Sequence, residues 1–308
     1  MEYSNWKNVP SNLKSKSYCN QNRLIIKGVE PVAKVYQKIN RKWIDLYDIN
    51  SLEPKPVLTK EQILAKEKAE STKKERYTCK LCRQYSVKNV SRATKLCRQC
   101  YNVLETHLYE LEQSNKALLE RLKWNENKEQ YLILDTETTG LSYDDEIVEI
   151  AIVDLNGCCL YQSLVKPTKP ISVGASKVNG ILDDDVANAP SMKDIYHELD
   201  RLLLGKTILA YNAEFDSSMI LQSFEKHEID VKAKYKYQCV MRNEMQIQGS
   251  DRWISLANAC GIDRGMQEHR AIEDCLLVKE LITDTDWIYA KLQENSELIE
   301  KLTAELKP

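Results

Sequence analysis

Three groups of residues in this chain have types and spacings that suit chemistry better than packing. The first lies in YLILDTETTG, Tyr131 to Gly140, where four strand-forming residues run into Asp135 and Glu137. Residues two apart on a strand share a face, so both carboxylates aim at one point. Like charges held together repel unless a cation lies between them, and the pair reads as part of a divalent metal site. The second group is Asp216, in YNAEFDSS, with His269 and Asp274, in EHRAIEDC. Asn212 suits a helix N-cap, which puts Asp216 in or near the first turn, by the positive end of the helix dipole. Glu214 is equally acidic, and position alone does not separate the two. His269 and Asp274 are five residues apart, about 140° off a common helical face. They converge only if His269 lies on the loop before a helix and Asp274 inside it, and Gly265 just upstream suits such a loop. The third group is Cys79-x-x-Cys82 and Cys97-x-x-Cys100, with fourteen residues between the pairs. That is the spacing of a zinc ribbon, and four thiolates leave the ion no open position, so one Zn²⁺ there is structural. A thiol-redox role would need only one of the pairs.

The elements that must position these groups can be read around them. After YLILDTETTG come two strand-like runs, EIVEIAIVDL and CCLYQSLVKP, joined at Asn156-Gly157, a strong hairpin dipeptide. A helix (SMKDIYHELDRLLLG), a strand (TILAY), a helix from Asn212, a short strand near Tyr237 to Met241, the helix WISLANACGI and a last helix from about Arg270 follow. The alternation predicts an α/β domain with a mixed central sheet. Ahead of it, Tyr101, Leu108, Asn115 and Leu122, with Leu104, Leu111 and Leu118, keep a heptad rhythm with one polar member. Ile288, Leu292, Ile299, Leu302 and Leu306 form a similar seam near the other end. The two helices pair within one chain or between two, so a homodimer through the helical linker stays open. Residues 1–50 read as a small α+β module with a hairpin around KINR and a core of Trp6, Leu13, Trp43 and Tyr47. Thr59 and Gln62 make a capping box for a highly charged connector helix. The expected organisation is an N-terminal module (1–72), a zinc ribbon (73–103), a helical linker with coiled-coil character (104–128), the α/β domain (129–283) and a C-terminal amphipathic helix (284–308).

Charge is divided unevenly. Residues 1–130 hold 26 Lys+Arg against 15 Asp+Glu, and residues 131–308 hold 18 against 31. A basic half joined to an acidic half suits a polyanion grip joined to a cation site, or simply two surfaces that attract one another. From Lys73 to Arg98 there are nine basic residues and one acidic residue, Glu75. That patch suits phosphate backbone contact, without base-specific readout; the alternative is a ribbon that docks a protein. No apolar run approaches the ~20 residues needed to span a bilayer. The first residues have no signal-peptide core, and four of the ten cysteines fall in the paired motif, so a cytoplasmic protein is expected. His107, His197 and His227 are expected on the surface.

Taken together and in order, Asp135-x-Glu137, Asp216 within N-A-x-F-D, and His269-x4-Asp274 resemble the DEDDh 3′–5′ exonucleases, the group that includes the proofreading epsilon subunits of bacterial replicases. The likeness covers residues 130–283, and VNGI at 178–181 and NAPSM at 188–192 resemble the family's linking segment. Asn179 stands where many relatives carry His, and Gln238-Cys239-Val240 where many carry an Asp-Thr pair. The resemblance implies a ribonuclease H-like fold. It implies two Mg²⁺ or Mn²⁺ ions on Asp135, Glu137, Asp216 and Asp274, and His269 as general base toward the attacking water. It implies Thr136, Thr138, Gly140, Leu141 and Asn212 around the terminal nucleotide, and release of nucleoside 5′-monophosphates from single-stranded or frayed 3′ ends, with DNA favoured. The alternatives are an RNA exonuclease, or a nucleic-acid-binding or docking protein that keeps the nuclease fold as a scaffold. Replication or repair is the expected setting, although no clamp-binding Q-x-x-L-F pattern follows residue 283.

Overall fold

The computed structural model describes residues 1–230, 234–263, 267 and 269–307; Gly265, expected in the loop before His269, lies outside them. The chain divides into two compact units, Met1–Arg76 and Tyr77–Pro308.

The first unit is a four-stranded sheet in the order β1-β3-β4-β2, from β1 (Glu2–Tyr3), β2 (Leu13–Ser15), β3 (Ala33–Gln37) and β4 (Lys42–Asp48), with helix α1 (Lys16–Gln21). β3 and β4 are the expected antiparallel hairpin. Leu13, Ala33, Val35 and Leu46 form one small core, and Tyr47 faces another with Cys19 and Leu52. The two tryptophans expected in the core are 45% and 47% exposed, at Trp6 and Trp43 respectively. Trp43 shares a strand face with the buried Tyr47 but lies at the hairpin end of β4, where it packs on its cross-strand partner Tyr36 at 5.4 Å. Helix α2 (Lys60–Arg76) opens on the reciprocal Thr59–Gln62 bonds and buries no residue, in keeping with a charged connector.

In the second unit, the four-cysteine loop leads into the long helix α3 (Arg98–Glu126). The chain then runs through strand β5 (Tyr131–Thr138), β6 (Ile147–Val153), β7 (Cys159–Leu164), α4 (Val173–Asn179), α5 (Asp183–Val186) and α6 (Met192–Leu203). β8 (Thr207–Ala210), α7 (Ala213–Lys226), β9 (Lys236–Cys239), α8 (Val240–Gln248), α9 (Leu256–Ala259), α10 (Ala271–Thr283) and α11 (Thr285–Leu306) follow. The sheet order is β7-β6-β5-β8-β9, antiparallel on the β7 side and parallel on the β9 side, the mixed sheet that the alternation predicts. Alternation along β5 sorts the helices. Ile133 belongs to the face covered by Cys275, Val278 and Ile282 of α10. Leu132 and Leu134 belong to the face covered by Ile195 and Leu199 of α6 and Met219 and Phe224 of α7. Continued past Leu134, the same rhythm puts Asp135 on the α10 side and Thr136 on the α7 side.

The two heptad seams meet within one chain: Ala117, Leu118 and Leu122 pack with Ile288 and Leu292, and Asn115 Oδ1 accepts from Asn295 at 2.9 Å. α3 is also locked to the sheet domain. Arg121, wholly buried, donates to Asn243 Oδ1 at 2.7 Å and to the Leu281 carbonyl at 3.0 Å, and pairs with Glu244. Gln238, one of the departures from the family pattern, accepts from Trp124 Nε1 and donates to Glu120, so this position serves the docking of α3. No described helix is long and apolar enough to cross a membrane.

Candidate active site

β5 delivers Asp135 and Glu137 as its last side chains on one face, and carboxylate oxygens of these two and of Asp274 lie within 4.8 Å of one another. Asp274 sits in the first turn of α10, and His269 on the loop just before it, the arrangement the five-residue spacing requires. His269 has φ +46°, in the left-handed region that histidine tolerates better than most side chains but still at a cost. Asp216 lies in the first turn of α7, buried, and reaches the site from the opposite face of the sheet; its Oδ1 accepts from Thr136 Oγ1 at 2.8 Å. Glu214 is exposed and paired with Arg242, so the geometry separates the two acids that the sequence left together.

The electrostatics are those of desolvated like charges held together. Desolvation, and then the charges of Asp216, Asp274 and Glu137, push Asp135 well above the usual carboxylate range. Desolvation and the neighbouring acids raise Glu137 to about 8. Desolvation raises Asp216 to about 7 despite the Thr136 hydrogen bond, and raises Asp274 despite two from Gln267. Gln267 Nε2 donates to both oxygens of Asp274 at 2.9 Å.

Two residues that the sequence motifs do not single out complete the surroundings. Glu149 on β6 stands opposite Glu137 in the strand register and is 1% exposed. Arg270, the residue after His269, donates to it from Nε at 2.9 Å and from Nη2 at 2.6 Å. Burial works against the Glu149 carboxylate, but these bonds and the Ala271 N–H outweigh it and hold its pKa below the usual range. The available signal was a lone acid at the centre of IVEIAIV, a strand buried on both faces.

The residues expected around the nucleotide fall as follows. Thr136 and Thr138 commit their hydroxyls to Asp216 and to the Gly140 carbonyl. Gly140 is needed where it stands, because a Cβ there would lie 2.5 Å from Asp145 Oδ2. Leu141 is 85% exposed at the loop tip. Asn212 caps α7 without a side-chain cap bond, and Asn179 donates to the Thr138 carbonyl at 3.3 Å. His227, expected on the surface, is instead nearly buried, 3.3 Å from Glu146.

The sulfurs of Cys79, Cys82, Cys97 and Cys100 also lie within 4.8 Å of one another. Cys82 and Cys97 are 3.7 Å apart, against the ~3.8 Å edge of a tetrahedron with ~2.3 Å Zn–S bonds. Cys97 is the N-cap of α3 and Cys100 lies in its first turn, where the hydrogen bond with Cys97, burial and the neighbouring sulfurs push the Cys100 thiol up to about 12. Burial opposes ionisation of Cys79, but the N–H groups of Cys97, Cys82 and Leu81 bring it down to about 6.

With this geometry in view, the comparisons with known proteins converge. The Exonuclease family profile matches residues 132–282. The exonuclease CP81 of Escherichia phage 186 is 32% identical over 184 residues, 55% of this chain and 94% of that protein. The DNA polymerase III subunit epsilon of Haemophilus influenzae is 28% identical over 177 residues, 51% of this chain and 66% of the subunit. RNA exonuclease 4 of Xenopus tropicalis is 28% identical over 147 residues, 47% of this chain and 34% of that protein. The acids gathered at the end of β5, the mixed sheet that carries them and these relatives agree: the chain belongs to the exonuclease family of DNA polymerase III epsilon and the DEDDh exonucleases.

Proposed function

We propose that this exonuclease is divalent-metal dependent and trims single-stranded or frayed 3′ ends, DNA in preference to RNA, releasing nucleoside 5′-monophosphates. The observation that carries the reading is the meeting of Asp135, Glu137 and Asp274 within 4.8 Å, with Asp216 beside them and their pKa values raised. An all-carboxylate set suits hard cations such as Mg²⁺ or Mn²⁺, and desolvation with mutual repulsion raises the pKa values of its members. When bound, such ions make water a nucleophile at neutral pH and neutralise charge on the phosphoryl group. Asp135, Glu137, Asp216 and Asp274 would hold them. Thr136 fixes the rotamer of Asp216 through its hydroxyl. His269 takes the proton of the attacking water on its imidazole. Gly140 lets the backbone turn closely beside Asp145, and Leu141 presents an apolar side chain to the terminal base.

Cys79, Cys82, Cys97 and Cys100 would hold one structural Zn²⁺. Around them Arg83, Lys88, Lys95 and Arg98 are exposed, with no acidic residue between Tyr77 and Cys100, a face suited to the phosphate backbone. The DNA preference rests on the polymerase-subunit relative; the relative named RNA exonuclease 4 makes RNA the comparison to run. Among matched 5′-labelled DNA and RNA oligonucleotides, single- and double-stranded, single-stranded DNA should shorten fastest from the 3′ end with Mg²⁺ or Mn²⁺, and all should stay intact in EDTA. Undiminished cleavage in EDTA, or internal cuts from the outset, would sink the reading.

The raised carboxylates give a second expectation. A group with a folded pKa above its unfolded value binds more protons when folded, so stability falls as pH rises between the two. For Glu137 the window runs from the ordinary glutamate range up to about 8. Thermal melting in EDTA should therefore come earlier at pH 8 than at pH 6. Mn²⁺ at a hundredfold excess over its Kd should raise Tm by roughly 5–10 °C at pH 8, and by less at pH 6, where protons compete. A metal shift that is larger at pH 6 would contradict it.

A further inference from the structure

Glu149 is a fifth carboxylate beside the four, and its oxygens are already taken. It accepts two hydrogen bonds from the Arg270 guanidinium and a third, at 3.1 Å, from the Ala271 backbone N–H, with a longer contact from Gln162 at 3.5 Å. Arg270 and Ala271 directly follow His269, and α10 begins at Ala271. One acid on β6 thus grips both Arg270, the one residue between the histidine and the helix bearing Asp274, and Ala271, the first residue of that helix.

We propose that Glu149 and Arg270 are a positioning pair for the reaction, fastening the first turn of α10 so that His269 keeps its working place beside Asp274, Asp135 and Glu137. This rests on the metal-dependent exonuclease reading above. Two observations favour positioning over simple stability. First, α10 has other anchors: Ala271, Cys275, Val278 and Ile282 are all buried in the core, so the helix docks without the pair. A buried acid that adds its charge to those around Asp135 and Glu137 is a poor way to gain stability, since apolar side chains of like volume often do as well or better. Second, His269 has a left-handed backbone, and a residue there needs its neighbours fixed. The forked, two-bond contact of an arginine with a carboxylate sets both distance and angle for the adjacent residue.

The test compares Glu149→Gln with wild type in Mn²⁺, measuring kcat and KM on a 5′-labelled oligonucleotide, Mn²⁺ affinity by calorimetry, and melting in EDTA. A misplacement of about 1 Å costs on the order of 10²-fold, so kcat should fall by roughly 30- to 100-fold, with KM and the Mn²⁺ Kd each within about threefold. Placed in a His269→Ala background, the same substitution should cost less than about threefold more, because the group it positions is gone. Arg270→Lys, which keeps the charge and loses the fork, should give the same split at about a tenth of the loss, and carries the test if Glu149→Gln does not fold. The pair is not a positioning device if kcat changes by less than threefold. Nor is it one if the loss persists undiminished in His269→Ala, or if Mn²⁺ affinity falls by the factor lost in kcat. An inactive wild type would instead remove the exonuclease reading on which it rests.

Discussion

Asp135→Asn should leave a folded protein with no more than about a thousandth of wild-type turnover, about 4 kcal/mol of lost transition-state stabilisation. The substitution keeps the shape of the side chain and removes its charge. Asp135 is the residue on which Asp216, Asp274 and Glu137 all act electrostatically, so it lies at the centre of the cluster. Without its charge the remaining acids hold divalent ions less well, and the phosphoryl group loses the field that neutralises it. Without metal, the same change removes both a desolvated charge and its repulsion from Asp216, Asp274, Glu137 and Glu149. The variant should therefore melt later than wild type in EDTA at pH 8, and the metal-induced rise in Tm should shrink. Gained stability with lost turnover is the mark of a charge kept for chemistry. Turnover within tenfold of wild type in single-turnover assays would remove Asp135 from the mechanism.

Arg121→Ala should produce the largest loss of stability. The guanidinium is wholly buried, and its partners come from α8 and the end of α10. Desolvation pulls its pKa down, and Glu244 pushes back. Removing one partner of a buried pair leaves the other uncompensated, which costs about 3–5 kcal/mol. In a unit of this size that is roughly 6–20 °C in Tm. Arg121→Met combined with Glu244→Leu should recover most of the loss, because the stranded charge goes as well. If the single and double variants melt together, the pair is not what holds α3.

The site was largely legible in the sequence because its chemistry concentrates in short stretches. A strand ending in Asp-x-Glu fixes two carboxylates by alternation alone, and five-residue spacing places His269 outside a helix that contains Asp274. Glu149, Arg270 and Arg121 were not legible, because their roles depend on partners 120 or more residues away. Glu149 looks like one charge in an apolar run until the β5–β6 register sets it against Glu137. Trp43 misled for a related reason: aromatic character does not say whether a strand position falls over the core, as Tyr47 does, or at the hairpin end, as Trp43 does. Gln238 read only as a departure from the family pattern, but it is the partner of Trp124 on a helix outside the catalytic part of the chain.

The pairing of Asn115 with Asn295 joins residues 180 positions apart. During synthesis α3 emerges long before α11, and at ~5–20 residues per second the interval is roughly ten to forty seconds. Throughout it Leu118 and Leu122 have no α11 to cover them, and Arg121 waits 123 residues of synthesis for Glu244. The nascent chain therefore carries an uncovered apolar helix with a free arginine while its sheet is still being made. Any lesion that delays α11 should first appear as poor yield of soluble protein, before it appears as weak catalysis.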